Sequence, residues 1–578
     1  MPIHILGVAC FYHDSSAAIY RDGELLAAVA EERFTRKKHT SDFPIHAINY
    51  CLEIAGIDST QLDAVAFYEK PLAKLERVIF SCFDTWPLSS VLFTKVLPVM
   101  LKQHLKVPKL LRKGIGYKGE VLFVDHHLAH AASAFLVSPF DRAAILCMDG
   151  VGEWVSTSKG VGEGTSVNLT HEIPFPHSLG LLYSALTYFT GYKVNGGEGK
   201  VMGLAPYGKP KFVDVIKNKL IDIRPDGSFR MNMKYFRYHR GTTMLSHRFI
   251  REFGPPRKPE SPRSDYYDDW ACSLQIVLEE AVIKLAATLQ RETGIENLCL
   301  GGGVALNSVA NGLIYEQTGF KNLFIQPAAG DDGTSVGAAA YVVHNLYNLP
   351  RTYWMENCYL GPEFSDEYIR DYLSRLGVKF TVLDRQALVR DAAEHLAAEK
   401  IIGWYQGRME FGPRALGNRS ILADPRRAEM KDILNARVKH RESFRPFAPT
   451  ILLERLSEYF ELDHPSPHML LVSKIKPAKR GIIPAVCHVD GTGRGQTVSR
   501  SENALFYDLI AEFDKITGVP VVLNTSFNVR GEPIVCKPSE AFACFVHTDM
   551  DALYLGSQRI EKADVDTAIV TRPSFELD

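Results

Sequence analysis

The stretch that decides the fold is Ala143-Ala144-Ile145-Leu146-Cys147-Met148-Asp149-Gly150. A short apolar run that ends in Asp-Gly predicts a buried strand followed by a tight turn. Similar turns recur at Gly301-Gly302-Gly303 and at Gly330-Asp331-Asp332-Gly333. Such turns bring backbone N–H groups and carboxylates to the edge of a sheet, where phosphates and metals are held. We therefore expect an α/β domain with a ligand site at this edge.

Elements on either side of this stretch extend the α/β pattern. Toward the N-terminus, residues 3–8, 17–20 and 25–30 are predicted strands, and Asp22-Gly23 is typical of a hairpin turn. Toward the C-terminus, residues 271–293 carry apolar residues at helical spacing and stop at a glycine. No internal repeat is visible in the sequence.

The length of the chain predicts two domains. With 578 residues, of which 46% are hydrophobic, the chain exceeds the size of a single core. The periodicity lapses between Asn348 and Pro362, so we place the domains at residues 1–350 and 363–578. The second domain is predicted to be α/β with a mixed sheet. Its expected helices are residues 366–376, 428–439 and 504–516, and its expected strands are residues 401–405, 468–475 and 519–523.

Charge and cysteine content indicate a cytoplasmic enzyme for small molecules. The formal net charge is -1, so no global charge draws the chain to nucleic acid or to an anionic membrane. The ten cysteines include no Cys-x-x-Cys pair, and no secretory segment is visible. Residues 78–101 are apolar but are interrupted by Asp84, Pro87 and Lys95, so we expect a buried or substrate-lining helical insertion and no membrane span.

The histidines of residues 125–130 are the sharpest local signal. His126 and His130 are spaced i, i+4, so on a helix both rings face one ion, whereas His127 points elsewhere. Asp149 and Asp331 are available as further ligands. Two imidazoles and two carboxylates suit Fe(II) or Mn(II) better than a structural zinc. The alternative is a hydrogen-bonded, histidine-rich helix start.

A basic segment in the second domain suggests a phosphate site. Residues 408–445 hold ten Lys/Arg against five Asp/Glu. Arginines near glycine or proline breakers are the candidates, namely Arg414, Arg419 and Arg445. The alternative, a solvated basic face, applies to Arg426, Arg427 and Lys431.

Taken together, these motifs resemble the O-carbamoyltransferase family of the nodulation-factor, cephamycin and tobramycin type. The matching segments, in the order of that family, are residues 126–134, 149–153, 198–208, 301–307, 330–333, 407–420 and 523–528. The resemblance implies an actin-like (ASKHA) N-terminal domain, of the kind found in tRNA threonylcarbamoyl transferases, fused to a YrdC-like C-terminal domain.

The resemblance also implies a reaction in two steps. The YrdC-like domain of the family makes carbamoyl-adenylate from carbamoyl phosphate and ATP, used with Mg(II). The N-terminal domain, holding Fe(II), moves the carbamoyl group onto an acceptor hydroxyl. The implied partners are therefore carbamoyl phosphate, ATP and a hydroxylated small molecule, with a secondary metabolite as the expected acceptor. No nucleic acid or membrane partner is expected, and assembly as a homodimer is left open.

Individual site residues follow from the same resemblance. The implied metal ligands are His126, His130, Asp149 and Asp331, with Asp332 as the alternative to Asp331. The residues implied or favoured as binders of carbamoyl phosphate and ATP are Arg414, Arg419, Lys439, Arg445, Arg494, Asn524, Ser526 and Arg530. Lys439 is also a candidate catalytic residue.

The N-terminal domain supplies the remaining candidates. Gly302, Gly303 and Asn307 are expected to line the cleft in which the adenylate lodges for transfer. His13 or Asp14 could take the proton of the acceptor hydroxyl, although Asp14 could also simply cap the turn. Residues 68–118 and 246–269 are expected to shape the acceptor pocket, the latter as a surface excursion.

Three other enzyme classes share parts of this pattern but fit it less well. A tRNA threonylcarbamoyl-modifying enzyme would need a basic RNA-binding face, which the net charge disfavours. An actin-fold kinase leaves His126 and His130 unexplained. A hydrogenase-maturation carbamoyltransferase should carry an acylphosphatase-like segment and Cys-x-x-Cys zinc motifs ahead of the first strand.

Overall fold

The chain forms two compact units. A computed structural model describes residues 2–102, 104–571 and 573–575. Residues 1, 103, 572 and 576–578 of the two predicted domains lie outside it. The first unit comprises the chain up to Glu31 together with His39–Met355. The second comprises Glu32–Lys38 together with the chain from Glu356 onward.

The first unit contains twelve strands and most of the helices among the described residues up to Met355. Its strands are β1 (His4–Ala9), β2 (Ser16–Arg21), β3 (Glu24–Ala30), β4 (Ala64–Phe67), β5 (Glu120–Phe123), β6 (Arg142–Met148), β7 (Val155–Glu163), β8 (Ser166–Pro174), β9 (Ile221–Ile223), β10 (Phe229–Met231), β11 (Asn297–Gly301) and β12 (Asn322–Ile325). The α-helices in this part of the chain are α1 (Glu32–Thr35, which belongs to the second unit), α2 (Ile45–Ala55), α3 (Pro71–Asp84), α4 (Ser90–Lys102), α5 (Val107–Ile115), α6 (His126–Phe135), α7 (Leu179–Phe189), α8 (Glu198–Leu204), α9 (Val213–Val215), α10 (His247–Phe253), α11 (Asp265–Thr293), α12 (Ser308–Gln317) and α13 (Thr334–Tyr341).

Two five-stranded sheets of the first unit share one topology. The first has the order β3-β2-β1-β4-β5 and the second the order β12-β11-β6-β7-β8. In each, a meander of three antiparallel strands is extended by two parallel strands placed beside its first strand. This duplicated arrangement is the expected actin-like fold. The structure therefore contains a repeat that the sequence does not reveal.

Helices α6 and α13 cross at close range in this unit. A Cβ atom on Gly337 of α13 would lie 1.8 Å from the carbonyl oxygen of Ala129 on α6, so only glycine fits at the crossing. The small buried residues that follow on both helices allow the same approach. The crossing fixes α6, which carries the two candidate histidine ligands.

Two local predictions are confirmed, and a third is confirmed only in part. The N-terminal hairpin turns at Asp22-Gly23, and α11 ends at Thr293 before Gly294, whose φ is 65°. Residues 246–269 are not a plain surface excursion, because they contain α10 and the start of α11. Asp268 and Asp269 are buried there, paired with Arg263 and Lys211.

The predicted insertion at residues 78–101 is helical but is not buried. It forms the second half of α3 and most of α4, with Phe83 exposed near the end of α3 and Trp86 and Leu88 exposed in the connection between the helices. The apolar composition was therefore a poor guide to burial in this segment.

The second unit is built on an eight-stranded mixed sheet, as expected. The strands of this unit are β13 (Thr381–Val382), β14 (Ile402–Tyr405), β15 (Arg419–Ala423), β16 (Ala448–Leu452), β17 (Ser473–Lys474), β18 (Thr492–Gly493), β19 (Gln496–Val498), β20 (Val521–Ser526), β21 (Ala552–Leu555) and β22 (Gln558–Glu561). Strands β17 and β18 pair with each other outside the eight-stranded sheet. Its other helices are α14 (Asp366–Arg375), α15 (Arg385–Ala397), α16 (Met430–Ile433), α17 (Leu456–Tyr459), α18 (Pro477–Arg480), α19 (Ala504–Thr517) and α20 (Pro538–Val546). The sheet order is β13-β22-β21-β14-β15-β20-β16-β19, with parallel pairs β14–β21 and β16–β19.

Predictions for the second unit succeed where the periodicity is strong. Strands β14 and β20 and helices α14 and α19 match it closely, and the predicted helix at residues 428–439 is α16 followed by a π-helical turn, Leu434–Lys439. The predicted strand at residues 468–475 is wrong except for Ser473–Lys474. Met469, Leu470 and Leu471 are buried outside any strand, because a short apolar run cannot distinguish a strand from a buried loop.

The boundary between the units falls inside the predicted linker. Arg351 donates to the carbonyl oxygens of Leu136 and Phe140, which ties this end of the linker to the first unit. Beyond Glu356, the Gly361 amide donates to Met409, which belongs to the second unit. The linker therefore packs with the first unit up to residue 355 and with the second unit from residue 356 onward.

A short segment from near the N-terminus is part of the second unit. Within Glu32–Lys38, Arg33 donates to the Gly412 carbonyl oxygen at 2.9 Å. Arg36 pairs with Glu532 at 2.9 Å and donates to the carbonyl oxygens of Pro533 and Ile534. A fragment that begins near residue 363 would lack these contacts.

Candidate metal centre and arginine site

Two carboxylates fix the start of helix α6. Asp125 accepts a hydrogen bond from the Leu128 amide at 3.4 Å, and Glu153 accepts from the His126 amide at 3.1 and 3.2 Å. Negative groups at a helix N-terminus satisfy free amides and the helix dipole. Because the helix begins at His126, His126 and His130 lie one turn apart on the same face.

The four predicted metal ligands converge at one buried point. The Nε2 atoms of His126 and His130 are 3.1 Å apart, and His126 Nε2 lies 3.4 Å from Asp149 Oδ2. Asp331 Oδ1 lies 3.7 Å from His126 Nε2 and 3.6 Å from His130 Nε2. Ligands that share one ion at about 2.1 Å stand about 3.0–3.6 Å apart.

The donor set fits a resident cation. Both carboxylate oxygens of Asp331 are buried without a hydrogen-bond donor among the described residues. Buried carboxylate oxygens normally find a partner, so their isolation points to a bound cation. Two imidazoles and two carboxylates are a set that Fe(II) and Mn(II) accept.

Charges within the cluster reinforce this reading. Burial opposes protonation of His126, but the hydrogen bond to Asp149 and the charge of Asp331 outweigh it and raise its pKa to about 9. Burial likewise opposes ionisation of Asp149, yet His126 and His130 hold its pKa well below the usual value. Positive charge is therefore strongly favoured at this point.

The Asp-Gly and glycine turns position the carboxylates. Asp149 follows β6, and its Oδ1 accepts from the Gly303 amide at 3.0 Å. Gly302 has a φ of 85° and lies where a Cβ would meet the Met148 carbonyl oxygen at 2.3 Å, so the turn requires glycine. Of the two candidate aspartates after Gly330, Asp331 faces the histidines, whereas Asp332 does not belong to the cluster.

Two neighbouring residues have structural partners. His127 hydrogen-bonds through Nδ1 to the Ser158 hydroxyl at 2.8 Å, so it points away from the cluster as predicted. Asn307, a predicted cleft residue, caps α12 by accepting from the Ala310 amide and donates to Gln275 at 3.0 Å. Its side-chain amide is thus used in packing.

His13 and Asp14 form a chain of contacts that ends at the cluster. His13 Nε2 lies 3.9 Å from Asp331 Oδ2, and His13 Nδ1 lies 2.9 Å from Asp14. Asp14 also contacts His39 Nδ1 at 2.7 Å. Burial opposes the charge on His13, but Asp331 and Asp14 raise its pKa to about 10.

Nothing in the sequence marks His39 as a candidate site residue. It lies 25 residues from Asp14, and main-chain bonds from Phe11 to Ser41 and from Ser15 to Thr40 bring the two segments together. No periodic pattern encodes such a contact.

Helix α3 lies along one side of the centre. Arg77 donates to the Gly152 carbonyl oxygen at 2.8 Å, and the Lys70 amide donates to Glu153 at 2.6 Å. Phe80 packs against Trp154 with ring centroids 6.2 Å apart. The insertion therefore contacts the loop that follows Asp149.

Four arginines gather in the second unit. Burial, then Arg414, Arg445 and Arg441, lower the pKa of Arg494 well below its usual value. Burial and Arg445 lower the pKa of Arg414 to about 10. Arg441, which the sequence analysis did not single out, has its pKa lowered by burial and by Arg445, partly offset by Glu442. Half-buried guanidinium groups that repel one another favour an anion of several charges.

Lys439 holds a loop next to this cluster. Its ammonium donates to the carbonyl oxygens of Ser526 and Asn528 at 2.7 and 2.8 Å and to Asn528 Oδ1 at 2.7 Å. The Arg530 amide donates to the Lys439 carbonyl oxygen at 3.2 Å. Burial, followed by the charge of Arg441, lowers the pKa of Lys439.

Two predicted binders have other partners. Arg419 donates to four carbonyl oxygens, those of Gln406, Gly407, Asn418 and Pro362, and lies 3.7 Å from the centre of the Tyr405 ring. Asn524 donates to Gln496 at 2.9 Å within the sheet. The contacts of both side chains are internal to the fold.

The fold and the two sites together define an enzyme with an actin-like unit that carries a candidate metal centre and a second α/β unit that carries a candidate anion site. Residues 4–340 match the family model described as carbamoyltransferase N-terminus, and residues 393–562 match the one described as carbamoyltransferase C-terminus. The chain therefore belongs to the carbamoyltransferase family, and it is a carbamoyltransferase.

Similar proteins span the chain almost end to end. The Synechocystis protein sll1178 is 48% identical over 96% of this chain and 95% of its own length. Nodulation protein NolNO of Sinorhizobium fredii is 39% identical over 96% of this chain and 79% of its own length. The Methanocaldococcus jannaschii protein MJ1058 is 30% identical over 97% of this chain and all of its own.

None of the described helices combines the length and apolar character needed to cross a bilayer.

Proposed function

We propose that this protein is an ATP-dependent O-carbamoyltransferase that works in two steps, one in each unit. The second unit, which we take to be YrdC-like, converts carbamoyl phosphate and ATP into carbamoyl-adenylate, consuming one water and releasing phosphate and pyrophosphate. The first unit transfers the carbamoyl group to the hydroxyl of a small molecule and releases AMP.

The observation that carries the proposal is the pairing of two opposite sites in one chain. Burial and the charge of Arg445 lower the pKa of Arg414, Arg441 and Arg494, and such a group of cations favours bound phosphates. The cluster around Asp331 favours a bound cation. Phosphate binding belongs to activation of carbamoyl phosphate, and a Lewis-acid centre belongs to transfer of the carbamoyl group.

In the activating unit, the arginines would neutralise the phosphates of both substrates. Guanidinium groups match phosphate oxygens in pairs and bind them strongly in half-buried sites. Lys439 would act mainly as a positioning residue, since its three donors already bind Ser526 and Asn528. These contacts hold the loop after β20 in place beside the arginines.

In the transfer unit, His126, His130, Asp149 and Asp331 would hold Fe(II), or Mn(II). A bound metal of this kind supplies a Lewis acid that polarises the carbamoyl carbonyl. A cation bound at Asp331 would offset the carboxylate charge that contributes most to raising the pKa of His13. His13 would then take the proton of the acceptor hydroxyl on Nε2, while Asp14 holds the Nδ1 side of the ring at 2.9 Å. His39 would orient Asp14 from its other oxygen.

The proposal is tested with the full-length protein loaded with Fe(II) without oxygen. With ATP, Mg(II) and carbamoyl phosphate, pyrophosphate and AMP should form, and a panel of hydroxylated compounds should be screened for the mass gain of one carbamoyl group. Pyrophosphate release that does not require carbamoyl phosphate would contradict the activation step. Transfer from carbamoyl phosphate without ATP would contradict the two-step scheme.

A further inference from the structure

Residues 85–119 of the first unit form a basic segment. The segment contains seven Lys or Arg and no Asp or Glu, although the whole chain has a net charge of -1. The seven cations are Lys95, Lys102, Lys106, Lys109, Arg112, Lys113 and Lys118, and all are exposed. None of them forms an ion pair among the described residues. The average charge of the chain conceals this patch.

Large apolar side chains are exposed beside these cations. Phe80, Phe83, Trp86, Leu88 and Val91, around the connection of α3 to α4, are each 56–69% exposed. Scattered exposed apolar residues are ordinary, but five within twelve residues form a concentrated tip. We call residues 80–91 the apolar tip.

Helix α4 joins the apolar tip to the cations on one face. Its exposed residues Val91, Lys95 and Lys102 are spaced i, i+4 and i+11, which places them on the same side of the helix. Further exposed cations follow on α5. Apolar and aromatic side chains next to unpaired lysines are typical of surfaces that lie on anionic bilayers, with rings in the headgroup region.

We infer that the apolar tip and the basic segment dock this protein on an anionic lipid surface. The apolar tip enters the headgroup region, and the exposed lysines of α4 and α5 face the anionic lipids. The acids that flank the basic segment in sequence, Asp84 and Glu120, are also exposed.

Two other occupants fit the same surface less well. In an isologous contact with a second copy, seven unpaired cations would face the same seven cations with no carboxylate from the segment between them. Nucleic acid would pair with the lysines, but Val91, Leu88 and the phenylalanines offer nothing to a phosphate backbone. Of these three occupants, a lipid surface is the one that uses both halves of the patch.

This docking would bring the proposed transfer site close to the bilayer. Helix α3 runs from the loop beside the metal centre, where Arg77 donates to Gly152, to the apolar tip. On the proposed function, the acceptor class would be an amphiphile whose hydroxyl is reached from the membrane surface. The docking itself does not depend on that function.

The test uses the full-length protein and sedimentation with vesicles. Vesicles of phosphatidylcholine alone are compared with vesicles that include about 30% phosphatidylserine. The protein should sediment only with the anionic vesicles, and binding should weaken as NaCl rises from about 0.1 to about 0.5 M. No sedimentation with anionic vesicles at low salt would overturn the inference.

Two sets of variants and a matched control locate the surface. Replacing Lys102, Lys109 and Lys113 by Glu should weaken vesicle binding about 100-fold or more, since each surface cation contributes roughly fivefold. Phe83→Ser with Trp86→Ser should weaken it about tenfold or more. The control reverses three exposed cations elsewhere in the first unit, Arg224, Arg230 and Lys234, and should bind like wild type.

Folding and competing partners are checked in the same experiment. Circular dichroism and thermal unfolding establish that each variant is folded. Equal vesicle binding by the patch variants and the control would overturn the inference. So would a wild type that binds tRNA or forms a dimer through this patch, measured by gel shift and light scattering, but does not sediment with anionic vesicles.

Discussion

The two candidate sites differ in the sign of the charge that each favours in a ligand. They also differ in the neighbours that surround their charged side chains. In the first unit, buried Asp331 presents two oxygens without donors, next to histidine nitrogens that converge on the same point. In the second unit, Arg414 and Arg494 are surrounded by other cations. The side chains of the first site favour a cation and those of the second favour an anion, so each site indicates the charge of its ligand.

The difference shows that the partners a side chain already has within the protein are a better guide to function than its residue type. Arg419 is as basic as Arg494, but its guanidinium donates to four carbonyl oxygens. His127 lies between the two candidate ligands in sequence, yet it binds Ser158. The better candidates are Arg494 in the first case and His126 and His130 in the second.

The sharpest test of the comparison removes a metal ligand. His126→Ala should reduce bound iron from about one ion per chain to none and lower carbamoyl transfer by about 10³-fold or more, because the Lewis acid is lost. Pyrophosphate release by the second unit should stay within about twofold. Metal content is measured by elemental analysis after loading with Fe(II). The control is His171→Ala, an exposed histidine of the same unit. Full iron content in folded His126→Ala would show that the ligands are misassigned.

The second test removes a cation from the arginine site. Arg494→Ala should lower carbamoyl-phosphate-dependent pyrophosphate release by about 100-fold, since a charge-assisted contact to phosphate is lost in a half-buried site. Iron content should not change. Arg500→Ala is the control, because Arg500 is exposed and pairs with Asp508 at the surface. Normal pyrophosphate release by Arg494→Ala would remove this residue from the site.

The third test asks whether the segment Glu32–Lys38 stabilises the activating unit. Arg36→Ala leaves buried Glu532 without its cation and should lower the free energy of unfolding of that unit by about 2 kcal/mol. Lys37→Ala, an exposed neighbour, should change it by less than about 0.5 kcal/mol. Urea unfolding is followed for both variants. A loss confined to the first unit's transition would contradict the assignment of this segment.

The smallest expected effect concerns the positioning of His13. His39→Ala removes the partner of Asp14 and should slow carbamoyl transfer about tenfold, with iron content and pyrophosphate release unchanged. His39→Asn keeps a donor near the position of Nδ1 and should recover most of the rate. Equal losses in both variants, together with lower stability, would indicate a purely structural role.

The sequence was informative where the determinants are local. The strand before Asp149, the helix up to Thr293 and the i, i+4 histidines were all predicted, because each depends on periodicity and turn residues within a few positions. The ligand set and most of the arginines came from resemblance to a family. Arg441 and His39 were missed, since nothing near them in the chain marks their partners.

Only the tertiary structure decided which distant residues meet and which surfaces stay exposed. The duplicated sheet topology left no visible repeat, because many sequences satisfy the same strand order. The structure also distinguishes Asp331 from Asp332 as the candidate ligand, because the Asp331 carboxylate lies in the cluster with the histidines and Asp332 does not belong to it. Likewise, the seven cations of residues 85–119 can be read from the sequence, but only the structure shows that all of them are exposed. Local sequence sets which elements form, whereas contacts between elements depend on how the whole chain packs, and that packing determines the charge and exposure of each site.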